Sequence, residues 1–199
     1  MRSGLVMAAF GALALAAATD ARAGEAFIGV YRHDIDDEIS HGHYEKSPQI
    51  ILGAKTAQLD ELKFIWSPRV HLLASLSTRN GTNYIASGFT WNFKLSDRFY
   101  VEPGIGVAIH DGHVNLPRPD EPGLTPEEVD KRNHDLLTKL DLGSRVLFEP
   151  NFAIGWKATD RLSVEASWIH LSHAKLAGYQ NPGLGDLGLR VVYRYGVDR

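Results

Sequence analysis

The chain has 199 residues, a formal net charge of −3 and no cysteine. Its 21 Lys and Arg are scattered among 24 Asp and Glu, so no nucleic-acid surface is expected and no disulfide framework can hold the fold. No apolar run after the N-terminus approaches ~20 residues, which excludes helical membrane spans, and 19 Gly with a single plausible helical stretch favour an all-β chain.

The chain opens on an export signal: Arg2 supplies a positive start, Leu5 to Ala18 an apolar core, and Ala21-Arg22-Ala23 a small-x-small cleavage site. Cleavage is expected after Ala23, removing residues 1–23 and leaving 24–199 as one domain. Two strands follow at roughly 25–32 and 48–55, joined by a charged segment from His33 to Ser47. His41-Gly42-His43 there, like His110 with His113 further on, has no third ligand at fixed spacing, so these histidines read as solvated loop residues and no metal site is expected.

From Leu62 onward the dominant period is two. A third strand is expected over roughly 62–77 after a short link from Thr56 to Glu61, and a fourth over roughly 82–94. In the fourth, Ile85, Phe89, Trp91 and Phe93 alternate with Tyr84, Ala86, Gly88, Thr90 and Asn92. A fifth strand, roughly 98–112, sets Phe99, Val101, Ile105, Val107 and Ile109 against Tyr100, Glu102, Gly104, Gly106 and His110. Residues 113–142 are Pro-rich and then acidic, and Thr125-Pro126-Glu127-Glu128 has the cap and first-turn Pro of a short helix. The last three strands fall at roughly 143–158, 161–173 and 186–196.

An apolar-in soluble barrel fits this alternation as well as an apolar-out membrane barrel, and three features favour the membrane form. Several strands run to ten residues or more, enough to cross a bilayer when tilted. Their other face mixes Gly with Arg, Lys and Glu, which suits a narrow lumen filled by ion pairs, with Glu102, Glu149, Arg145, Arg190 and Arg194 as its members. Aromatic residues cluster near strand ends, as interfacial girdles require. An even count of eight closes without an edge, so the expected fold is an eight-stranded antiparallel transmembrane β-barrel of the outer membrane.

The seventh strand carries the candidate chemistry. Leu162, Val164, Ala166 and Trp168 occupy its lipid-side positions, and the same phase sets His170 and Ser172 on that outer face near the strand's outer end. Their Cβ atoms stand about 6–7 Å apart at this spacing, within reach of a Ser hydroxyl and an imidazole that accepts its proton. A buried or lipid-facing polar group without a partner costs roughly 1–3 kcal/mol, so the pair also relieves itself.

The run His170-Leu171-Ser172-His173-Ala174-Lys175-Leu176, then Asn181-Pro182-Gly183 and a strand ending Tyr193-Arg194-Tyr195, resembles the outer-membrane lipid A 3-O-deacylases and their acyloxyacyl-hydrolase-like relatives. The resemblance implies a serine esterase that hydrolyses the ester-linked 3-O acyl chain of lipid A in the outer leaflet. It implies Ser172 as nucleophile, His170 as base and Asn181 as an aid to the oxyanion, with no cofactor. His173 stands after the serine where the best-known members carry Asn, and Leu184-Gly185 stands where an acid is expected. The neighbouring Asp186 is therefore expected to orient His170, or else to be a charged residue opening the last strand. Lipid A and the membrane are the implied partners, together with a paired barrel. The competing readings are a non-enzymatic small barrel with a structural or surface-binding role, and a soluble periplasmic barrel.

Overall fold

The computed structural model describes residues 23–37, 39–40, 44–174, 176 and 181–196. The expected export signal, apart from Ala23, lies outside these residues, as do His41 and His43. Eight strands form: β1 (Gly24–Arg32), β2 (Gln49–Thr56), β3 (Arg69–Ser77), β4 (Tyr84–Thr90), β5 (Phe99–His110), β6 (Val146–Lys157), β7 (Leu162–Leu171) and β8 (Leu184–Tyr195). Phe93–Lys94 prolongs β4 against β5. Each strand pairs antiparallel with the next, and β1 closes on β8 from Gly24↔Tyr195 to Arg32↔Leu187. The result is a closed eight-stranded antiparallel β-barrel.

Side-chain alternation decides which way the barrel faces. Val30 and Leu189 are 65% and 63% exposed on the outer surface, whereas Glu149 and Glu165 are 0% exposed inside. A soluble barrel would do the reverse, so that reading fails. The turns 57–68, 95–98 and 158–161 lie at the same end as the start of β1 and the end of β8. The opposite end carries four loops: L1 (33–48), L2 (78–83), L3 (111–145) and L4 (172–183).

The first turn is longer than the sequence pattern predicts, because β3 begins at Arg69 rather than near Leu62. Residues Asp60–Ile65 form a 3₁₀ turn ended by Trp66 at φ 65° and Ser67 at φ 47°. Trp66 and Ser67 thus take left-handed backbone conformations that no strand can include. Phe64 and Trp66 are exposed there, an apolar run that imitates a strand but lies outside the ladder. The expected helix is present as α1 (Pro126–Thr138), with Thr125 and Glu128 capping each other reciprocally.

The lumen has two layers. In the half nearer the termini, Lys55 pairs with Glu102 and with Glu165 at 3.2 Å, Arg190 pairs with Glu165, and Arg69 pairs with Glu25 at 2.7 Å. The Tyr100 hydroxyl donates to Glu165 at 2.6 Å, and the Arg190 guanidinium lies 4.3 Å from the centre of the Phe27 ring. Three cations thus meet three buried carboxylates, which is how charge is tolerated away from water. Arg194 reaches Glu25 at the rim at 3.2 Å, and His71 meets Glu149 at 3.0 Å. Arg145, expected in this network, instead holds the carbonyls of His110, the last residue of β5, and of Gly112 in L3, each at 2.8 Å. In the loop half, Tyr31, Ile51, Tyr84, Leu147, Ile169, Leu171 and Leu184 enclose Leu140 and Leu142, two fully buried residues of L3.

Candidate functional site

His170 and Ser172 lie where their phase predicts. Ser172 pairs with Phe148, itself outward and exposed, through Phe148 N–H to Ser172 O at 2.7 Å and Ser172 N–H to Phe148 O at 3.2 Å. Residues paired across antiparallel strands share a face, so Ser172 is outward. The register from Asn151↔Ile169 carries Pro150 to a position opposite His170. Proline has no N–H to give there, and the β6–β7 ladder is interrupted at His170 and resumes at Ser172.

An outward histidine should be exposed, yet His170 is only 3% accessible. L1 folds over it. Ile35 N–H donates to Gly185 O at 2.9 Å and ties L1 to β8, and His170 Nδ1 shares a 2.8 Å hydrogen bond with the Ser40 hydroxyl. The Trp168 ring lies parallel to the imidazole, with centroids 5.9 Å apart and 14° between planes. Its indole N–H donates to Asp37 Oδ2 at 2.9 Å. On the L4 side, a Cβ added to Gly183 would come within 2.8 Å of His170 Cε1, and Gly183 has φ +74°. Only glycine combines that backbone with so close an approach. These contacts take one face, Nδ1 and Cε1 of the ring, and Nε2 is the remaining nitrogen. Among the described residues His170 and Ser172 are not hydrogen-bonded to each other.

Asp186 does not orient His170. It pairs with Ile169 in the β7–β8 ladder, so its side chain points into the lumen, opposite to His170. There its carboxylate accepts from His33 Nδ1 at 2.6 Å and from the Tyr84 hydroxyl at 2.7 Å. His33 Nε2 donates to Glu45 at 2.9 Å, and Glu45 also accepts from the backbone and hydroxyl of Thr82 in L2. Burial disfavours a charged His33, but Asp186 and then Glu45 outweigh it and push the imidazole up to about 10. A cationic histidine between two carboxylates therefore clamps L1, L2 and β8 together.

Asn181 is tied to the residue that follows Ser172: the His173 backbone N–H donates to Asn181 Oδ1 at 3.1 Å. The His173 ring is buried. His110, one of the two described histidines weighed for a metal, bonds the Ser144 carbonyl through Nε2 at 2.7 Å. Ser40 and Asp37 leave no periodic signal in the sequence, because they lie in a charged loop outside the strand pattern. Trp168 was legible by phase, two residues before His170.

No curated protein matches the chain. A crystal structure of the outer membrane enzyme PagL matches with a TM-score of 0.52 at 18% identity, over 86% of this chain and 98% of that one. A de novo designed transmembrane β-barrel matches with a TM-score of 0.50 at 7% identity, over 88% and 98% respectively. At these identities the likeness concerns the fold. The sequence itself matches the family lipid A 3-O-deacylase (PagL) over residues 58–194, which includes His170 and Ser172. The apolar outer belt and charged lumen agree with that family's home in the bacterial outer membrane. With well over half of its length matched, the chain belongs to the lipid A 3-O-deacylase (PagL) family.

Proposed function

We propose that the protein is a serine esterase that removes the ester-linked 3-O acyl chain of lipid A from the outer leaflet, with Ser172 as nucleophile and His170 as general base. The observation that carries this reading is the in-phase His170 and Ser172 pair at the loop end of β7, on the surface that faces lipid. An acyl ester of a membrane-embedded glycolipid reaches that surface by lateral diffusion, and a lumenal site would be closed to it. Family membership supports the substrate class.

In this mechanism Ser172 Oγ attacks the acyl carbonyl carbon while its proton passes to His170 Nε2. The tetrahedral intermediate collapses as the imidazolium returns that proton to the departing sugar oxygen, which leaves an acyl-serine and a free 3-hydroxyl. Water then adds to the acyl-serine, His170 accepts its proton and gives it to Ser172 Oγ, and the fatty acid leaves. Asn181 contributes by fixing the backbone after Ser172, the segment from which oxyanion donors would come. The chain expected after signal removal, residues 24–199, is the active form.

The test is mass spectrometry of lipid A from cells producing the wild type and Ser172→Ala. Loss of one ester-linked acyl chain is expected with the wild type only. Continued release of the fatty acid by a correctly folded Ser172→Ala barrel refutes the assignment.

A further inference from the structure

The β7–β8 register sets Gly185 directly opposite His170 on the outward face. A Cβ placed on Gly185 would lie 2.9 Å from Ser40 Oγ, 3.0 Å from Asp37 Oδ2 and 2.9 Å from Ile35 Cγ1. The space beside the imidazole that a β8 side chain would occupy is thus filled from L1, by a hydroxyl and a carboxylate. The carboxylate that β8 does carry, Asp186, is on the lumenal side of the sheet.

We propose that Ser40 and Asp37 are positioning residues for His170, a hydroxyl and carboxylate pair delivered by L1 that fixes the imidazole for proton exchange with Ser172. The proposal rests on the reading of His170 and Ser172 as base and nucleophile. L1 precedes the residues matched by the family, which begin at 58, so this support is built by a part of the chain outside the matched segment.

Ser40 is fully buried and its hydroxyl meets Nδ1 at 2.8 Å. When Nδ1–H donates to Ser40 Oγ, the ring proton is held at Nδ1 and Nε2 is free to accept a proton, the tautomer a general base requires. Asp37 fixes the hydroxyl's position through the backbone: its Oδ1 accepts from Ser40 N–H at 2.7 Å and Ile39 N–H at 3.0 Å, and its own N–H donates to Ser40 O at 3.1 Å. Its Oδ2 holds the Trp168 indole that stacks on the imidazole. Burial opposes ionisation of Asp37, but the Trp168 indole, the two backbone N–H groups and the charge of His170 hold its carboxyl below the usual range. It is an anion at neutral pH, available to stabilise the imidazolium that forms in turnover.

The experiment compares Ser172→Ala, Ser40→Ala, Ser40→Thr, Asp37→Asn and Asp37→Ala/Gly185→Glu as folded barrels in detergent micelles. Release of fatty acid from lipid A gives kcat and KM, and the histidine side chains are followed by 15N NMR. Ser40→Ala and Asp37→Asn are expected to lower kcat by about 100-fold with KM little changed. Ser40→Thr should retain activity, because it keeps the hydroxyl. Asp37→Ala/Gly185→Glu should recover part of the loss through a carboxylate from the opposite strand. The wild-type His170 should carry its proton on Nδ1, and Ser40→Ala should shift it toward Nε2. Inactive Ser172→Ala alongside fully active Ser40→Ala and Asp37→Asn overturns the positioning role and leaves the esterase reading standing. Active Ser172→Ala overturns the esterase reading instead. A wild-type His170 protonated on Nε2 rather than Nδ1 overturns the positioning role whatever the activities show.

Discussion

Glu165 is the carboxylate on which the lumenal ion network converges, and Glu165→Gln removes its charge with almost no change of volume. Glu165 accepts from Arg190, from Lys55 at 3.2 Å and from Tyr100 at 2.6 Å, and it is 0% exposed. The substitution leaves Lys55, Arg69 and Arg190 facing only Glu25 and Glu102, one cation in excess in a space without bulk water. Removing one partner of a buried pair costs about 3–5 kcal/mol, and Gln retains an oxygen for Tyr100, so the expected loss is at the lower end, about 3 kcal/mol or two decades in the folding constant. Combining it with Lys55→Met removes one charge of each sign. The double variant should then be more stable than the sum of the singles by at least ~1 kcal/mol, since the residues touch. Urea titration of the barrel refolded into lipid vesicles, followed by Trp fluorescence, measures all three. A loss below ~1 kcal/mol for Glu165→Gln, or strict additivity with Lys55→Met, would refute the view that the lumen is held by charge balance.

Two further outcomes follow from the loops. Gly183→Ala places a methyl group against His170 at a positive φ, so it should cost about 1–2 kcal/mol in backbone strain and displace the ring; deacylation should drop well before the barrel's thermal transition does, and unchanged turnover would show that the ring tolerates the shift. The His33 clamp has its pKa raised in the folded protein, from about 6.5 to about 10, so its contribution is complete below pH 6.5 and is lost as pH rises toward and through 10. Limited proteolysis should therefore leave L1 protected at pH 7 and cut it above pH 10, and His33→Ala should be cut at both; protection of wild-type L1 that persists above pH 10 would count against the clamp.

The strand pattern was legible because a barrel wall makes every strand obey one rule, outward apolar and inward polar, over ten or so residues. The same rule also sufficed to place Asp186: with Leu187 and Leu189 outward, residue 186 has to face inward, and the role expected for it as orienter of His170 ran against its phase. The start of β3 was not legible, since Leu62, Phe64 and Trp66 keep an apolar alternation while Trp66 and Ser67 leave the extended backbone. Nor was the cover over His170. Whether a charged loop stands in solvent or folds back onto the wall depends on single long-range bonds, such as Ile35 N–H to Gly185 O, that leave no periodic trace in sequence.

Leu140 and Leu142 stopper the loop half of a lumen whose other half is filled by ion pairs, and the void beside Phe27, Lys55 and Arg190 measures about 10 Å³, near the least that one water needs. Among the described residues the lumen therefore opens no passage for solutes. A lumen so filled adds no leak to the permeability barrier however many copies a cell carries, and with the proposed site on the outside wall, any change the protein makes to that barrier comes through the lipids that surround it.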